Sequence, residues 1–156
     1  MLDITLVAIG KIKESFWQDA FSEYAKRLQP YVRLKTVELT PEPFAKGTKE
    51  KSREAEGKRV LDFLDKNNKE AGAAAVYLLA ERGRVFDSPA MAAWLEKSSP
   101  LILVVGGALG FSQELYARYP QISLSSLTFP HELARVVLME QLYRAATILN
   151  NKAYHY

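Results

Sequence analysis

The chain has no cysteine among its 156 residues. Disulfides, thiolate metal sites and a cysteine nucleophile are therefore excluded, and a reducing compartment is the natural setting. Histidine is scarce too: only His131 and His155 are present, so imidazole chemistry has two places to act from. Two histidines without carboxylates at ligand spacing make no zinc pattern, and no metal is expected. No apolar run reaches the roughly 20 residues of a membrane-spanning helix, so no membrane partner is expected. The opening MLDITLVAIG has Asp3 where a secretory leader would be basic, and no small-residue cleavage site, so it reads as a first strand. There is no G-x-S-x-G elbow for a serine triad. There is also no G-x-G-x-x-G and no lysine-bearing phosphate loop.

What is present is ordinary for a globular protein: 48% hydrophobic and 25% charged residues. A chain of 156 residues fits one domain spanning 1–156. Such a domain buries about 68–70% of its unfolded surface and needs no covalent staples. A net charge of +3 and a pI near 9.0 lean towards an anionic partner. Residues 1–70 hold 14 of the 21 Lys and Arg and 12 of the 18 Asp and Glu. The rest is poorer in charge and richer in apolar runs, which suggests one solvated side and one buried or paired side.

Apolar runs predict strands over residues 2–9, 31–39, 73–80 and 101–105, and a fifth strand or extended segment over 122–129. Helical spacing lies between them. Ser15 opens one helix and Pro30 stops it. A highly charged helix runs from Thr48, with Val60, Leu61 and Leu64 as its apolar stripe. A third covers 88–97, Ser112 opens a short one ended by Pro120, and a long one runs from Pro130 to about Leu149 with Thr128 as its cap. Residues 40–47, rich in Pro and Gly, form a loop. The alternation predicts an α/β fold with a mostly parallel sheet flanked by helices. The charge run reads mainly as a solvated face, with a basic lip of Lys46, Lys49, Lys51 and Arg53 as a second expectation. The last helix is apolar on nearly every side. One side covers the sheet and the other meets a second copy, so a homodimer is expected.

Three stretches offer chemistry. Gly106-Gly107-Ala108-Leu109-Gly110 joins a strand to a helix, where glycines let backbone approach a ligand; alone, it is also what a plain turn looks like. A dinucleotide fold would put its glycines after the first strand, where only Gly10 stands, followed by Lys11 and Lys13. Residues 124–130 link the last strand to the long helix. Leu124, Leu127 and Phe129 can enclose a ring while the backbone meets its edge, although a helix start with core side chains has the same pattern. The chain ends on Asn150-Asn151-Lys152-Ala153-Tyr154-His155-Tyr156, an aromatic and histidine cluster or a frayed tail.

Taken together, VVGGALGFS, SLSSLTFPHELARVVLMEQLYRA and the terminal Tyr-His resemble the RlmH-type ribosomal RNA large-subunit methyltransferases, of the SPOUT class of knotted methyltransferases. VAIGKIK and LAERGR extend the resemblance over essentially the whole chain. Many relatives carry Pro-Glu where this chain has Ala108-Leu109, and Pro where it has Ala153. The resemblance implies a C-terminal trefoil knot, an obligate homodimer and a cytoplasmic enzyme. Its activity would be S-adenosylmethionine-dependent N3-methylation of pseudouridine 1915 in the helix 69 loop of 23S rRNA, on the assembled ribosome. It places the cofactor against Leu79, Gly106 and the segment Leu124, Ser125, Ser126, Leu127, Thr128 and Phe129. On that basis His155 is the expected proton acceptor or hydrogen-bond partner at the reacting base, and Tyr154 positions the nucleotide. Arg135, Arg144 and Lys152 hold phosphates, with the opposing subunit as one source. Pairing of Arg135 with Glu132 and of Arg144 with Glu140 is the competing reading. The rival functions are a non-catalytic ribosome- or RNA-binding factor on the same fold and a small-molecule enzyme using the glycine loop for a phosphate.

Overall fold

The computed structural model describes residues 1–43, 49–69 and 73–156. Five strands alternate with five helices: β1 (Leu2–Ile9), α1 (Ser15–Leu28), β2 (Val32–Leu39), α2 (Lys49–Asn67), β3 (Ala75–Val85), α3 (Ser88–Ser98), β4 (Leu101–Val105), α4 (Gln113–Arg118), β5 (Gln121–Ser123) and α5 (His131–Leu149). The strands form one sheet in the order β2-β1-β4-β3-β5, and every pairing is parallel. The expected α/β class with a parallel sheet is therefore what forms.

Helices cover both faces, so central strands carry apolar residues on both sides. All five residues of β4 are buried. Leu101, Leu103 and Val105 enter a core with Leu28 of α1, Met91 and Leu95 of α3, and Leu138, Met139 and Leu142 of α5. Ile102 and Val104, on the opposite face, pack with Val60, Leu61 and Leu64 of α2 and Leu115 of α4. The three-residue stripe read in the charged helix is thus its sheet-facing side.

Several boundaries move. Ser15 is the first helical residue, not the cap; Glu14 holds that position without a side-chain bond. Instead the Glu132 carboxylate reaches over from α5 to accept the amide N–H groups of Lys13 and Glu14. Pro130 caps α5 and Thr128 does not, because Pro130 leads directly into the first turn. Ser112 does cap α4, accepting from the Leu115 amide. β5 stops at Ser123, six residues before the expected end, as the chain leaves the sheet there. β3 runs to Val85, five residues past its expected end. Its pairing with β5 jumps from Leu79 to Arg84, so residues 80–83 bulge out of the ladder. Gly83 permits this, since a Cβ there would lie 2.5 Å from the Ile122 carbonyl carbon. Within the loop expected over 40–47, and in the basic lip, residues 44–48, including Lys46, lie outside the described residues.

Candidate active site

Parallel α/β sheets place ligands beyond the carboxyl ends of their strands. Here a cavity of about 620 Å³ opens beyond β3, β4 and β5. Its walls are Leu79 and the bulged Ala80, Glu81 and Arg82, then Val105, Gly106, Gly107 and Gly110. The loop residues Leu124, Ser125, Leu127 and Phe129 line it too, with Phe111, Tyr116 and His131. The volume falls within the ~300–1,000 Å³ usual for small-molecule sites. Gly106 is held close: a Cβ there would come within 3.3 Å of the Phe111 ring. Gly110 has φ +75°, a left-handed conformation that glycine adopts without strain.

The segment after β5 is stiffened locally. The Ser123 hydroxyl donates to the Ser125 carbonyl at 2.8 Å, and the Ser125 hydroxyl accepts the Leu127 amide at 3.0 Å. Side chains of this segment divide between the cavity and solvent. Leu124, Ser125, Leu127 and Phe129 line the cavity, while Ser126 and Thr128 are exposed and outside its walls. Leu127 is 69% exposed, an apolar side chain left open at the cavity edge. Six of the eight expected cofactor residues are thus brought together.

α2 braces the glycine loop from the other side. Arg53 donates through Nε to the Leu109 carbonyl at 2.9 Å, so this member of the expected basic lip is tied to the loop. A Cβ on Gly57 would lie 2.4 Å from Ser112 Oγ and 2.8 Å from its Cβ, so α2 passes this close only as glycine. Between them Glu56, 5% exposed, enters a second cavity of about 440 Å³ that shares Gly107 and His131 with the first. Burial pushes the Glu56 carboxyl above the usual glutamate range; the Glu42 amide hydrogen bond and Arg59 oppose this and the Glu42 carboxylate adds to it.

The expected RNA-facing arginines divide. Arg135 is 2% exposed, and its guanidinium donates to the carbonyls of Ile9 and Gly10 at 2.9 and 2.7 Å. Its remaining charge partner is Glu38 at 3.6 Å, not Glu132. Burial draws its pKa down, with Glu38 opposing. Arg135 therefore ties α5 to the end of β1 and presents no surface to a phosphate. Arg144 pairs with Glu140, as the competing reading held, yet remains part of the terminal cluster. Its guanidinium lies 4.9 Å from the Tyr154 ring centre and 3.4 Å from His155 Nδ1.

The tail is not frayed. The Asn151 amide bonds the Ile148 carbonyl at 3.2 Å and the Lys152 amide the Thr147 carbonyl at 2.9 Å, with Asn151 at φ 52°. This left-handed turn ends α5 and reverses the chain. Tyr154 then folds back, donating to Glu140 at 3.0 Å and packing on Tyr143 at 4.7 Å. Burial first, then hydrogen bonding, raises the Tyr154 pKa, so its phenol stays protonated. Lys152 and His155 are exposed. None of residues 150–156 lines the first cavity. Within one chain, His155 and Tyr154 are not brought to the site that Gly106 and Leu124 form.

Sequence reasoning missed Glu56, His131 and the bulged rim. His131 was visible as one of two histidines. Glu56 lies one turn before Val60 on the buried stripe, and that spacing was its signal. Among the described residues, no cluster of three or more His, Asp and Glu is placed to hold a metal ion.

A family model described as predicted SPOUT methyltransferase matches residues 2–155. A protein of Pelobacter propionicus named ribosomal RNA large subunit methyltransferase H is 40% identical over 153 residues, 95% of each chain. Proteins of the same name from Lactococcus lactis subsp. cremoris and Clostridium acetobutylicum are 37% and 36% identical, each match covering 99% of both chains. Over almost its full length, then, this chain belongs to the SPOUT methyltransferase family, grouping there with the ribosomal RNA large subunit methyltransferases H.

Proposed function

We propose that this methyltransferase uses S-adenosylmethionine to methylate N3 of pseudouridine 1915 in the helix 69 loop of 23S rRNA, on the assembled ribosome in the cytoplasm. The observation that carries the reading is the first cavity. It combines an apolar enclosure (Leu79, Leu124, Leu127, Phe129) with exposed backbone of a glycine loop at the strand ends. These residues fit a nucleoside-bearing cofactor: side chains for the ring, backbone for its polar edge. Gly106 leaves room that a side chain would take.

When bound, the cofactor supplies an electrophilic methyl group with its leaving group already activated. The chain supplies orientation and a route for the N3 proton. Leu124 and Leu127 exclude water from the donor side. His155 accepts the proton or hydrogen-bonds the base, and Tyr154 positions the nucleotide, its phenol protonated. Arg144 and Lys152 hold phosphates, whereas Arg135 is buried and clasps the Ile9 and Gly10 carbonyls. The tail of one chain does not line its own cavity, which supports a homodimer whose second copy delivers its tail to the site. α5 has room for that role, since Leu133 and Val137 are only partly buried.

Calorimetric titration with S-adenosylmethionine tests the reading. Saturable binding, abolished in Gly106→Leu, together with N3-methylated pseudouridine in treated ribosomes, is expected. His155→Ala should keep cofactor affinity and lose most turnover. A folded protein that binds ribosomes but no cofactor would instead be a non-catalytic ribosome factor.

A further inference from the structure

The second cavity has no role in the function so far. Its floor is Glu56, and its walls include Gly10, Pro41, Glu42 and the loop Gly107-Ala108-Leu109. Lys11, Lys13 and Lys49, all exposed, stand around it. Glu56 Oε2 accepts the Glu42 amide at 3.1 Å. Its Oε1 is buried and has no hydrogen-bond partner among the described residues. A buried carboxylate oxygen left unpaired costs free energy, and a ligand N–H brought to it recovers that cost. Oε1 faces Gly107, 3.8 Å from where that residue's Cβ would stand, on the wall common to both cavities. Donor and acceptor of a transferred group must come into contact, and the two cavities adjoin at Gly107, which has no side chain, and at His131.

We propose that this second cavity receives the flipped-out target nucleotide, with Glu56 Oε1 accepting the ring N1–H of pseudouridine and Lys11, Lys13 and Lys49 holding the flanking phosphates. This rests on the methyltransferase reading and names its acceptor site. The chemistry points to N1–H specifically. N3 must face the donor to be methylated, which leaves N1–H as the ring's other N–H. In uridine that nitrogen carries the ribose and has no proton. A buried acceptor at this position therefore distinguishes the two nucleosides. A site built to pair an N–H rejects an analogue lacking it far more strongly than apolar packing can.

The experiment compares methylation of two ribosome preparations, one with pseudouridine and one with uridine at the target position, alongside calorimetry with S-adenosylhomocysteine. Wild type should favour pseudouridine at least tenfold in kcat/KM. Glu56→Gln keeps the side-chain size but turns an N–H donor towards the cavity. It should lose at least tenfold on pseudouridine and shift the preference towards one, with S-adenosylhomocysteine affinity within twofold of wild type and the thermal midpoint not lowered. Lys11→Ala with Lys13→Ala should raise KM for both ribosomes alike and leave the preference unchanged. An undiminished preference in Glu56→Gln, with cofactor affinity intact, overturns the assignment. Failure of wild type to bind the cofactor would overturn the methyltransferase reading itself, and this inference with it.

Discussion

α2 and α5 are each 19 residues long and lie on opposite faces of the sheet, yet their sequences have little in common. α5 runs between α1 and α3 and buries eight residues. Among the described residues, the helix packed most against α2 is the short α4, so charge can cover most of its surface. Neighbours, more than the sheet, decide how apolar a covering helix must be. Both helices also bury one charged residue, and here the comparison becomes functional. Arg135 of α5 gives two N–H groups to backbone carbonyls and is held by them, although its buried Nε has no hydrogen-bond partner among the described residues. Glu56 of α2 has one oxygen bonded and one left over. The difference lies in surroundings: Arg135 is clasped inside the fold, whereas the leftover oxygen of Glu56 belongs to a residue that lines a cavity.

Three substitutions break or sharpen that contrast. Arg135→Met should have the largest effect. It strips the Ile9 and Gly10 carbonyls of their charged donor, and loss of a buried charged hydrogen bond of this kind costs about 3 kcal/mol in chemical denaturation. A loss under 1 kcal/mol would show that the clasp is dispensable. Gly57→Ala comes next. Helix propensity alone predicts a gain of about 1 kcal/mol, but the collision with Ser112 should reverse the sign and leave a net loss of about 1 kcal/mol in urea unfolding. A stabilised variant would mean that α2 can stand away from α4.

The smallest effect concerns Glu56→Gln and pH. The folded-state pKa of Glu56 is raised, chiefly by burial. Its contribution to stability is therefore greatest below the usual glutamate range, and falls as pH rises through the raised value. Glutamine does not titrate. The thermal midpoint of Glu56→Gln relative to wild type should climb as pH rises above the usual glutamate range. The Glu42 amide and Arg59 oppose the shift and the Glu42 carboxylate adds to it, so a flat difference would mean that the first two offset the burial.

Much of this was legible beforehand. β1 and β4 stand where their apolar runs placed them, since central strands covered on both faces admit little else. The edge was harder to read. Glu81, Arg82 and Arg84 look like loop because β3 is polar where it bulges, and only its pairing with β5 shows it as strand. β5 was overestimated because Leu124, Leu127 and Phe129 are apolar for the cavity and not for the sheet. The segment after β5 that lines the cavity was found through its motif. Arg135 was misassigned because an arginine in a helix carries no sign of which backbone it will clasp. Glu56 was hidden among like residues, in a helix where charge is the rule.

The turn at Asn151 makes α5 a gauge. Its first residue borders the cavity and its last turn sets where Tyr154 and His155 come to rest. Each residue added to or removed from the helix moves the tail by about 1.5 Å and swings it by about 100°. Loops remote from the two cavities carry no such constraint, whereas the proposed role of the tail makes it sensitive to each of these steps. On the proposed reading of the tail, a one-residue insertion between Arg135 and Asn151 should therefore cost more activity than any substitution of an exposed side chain in between.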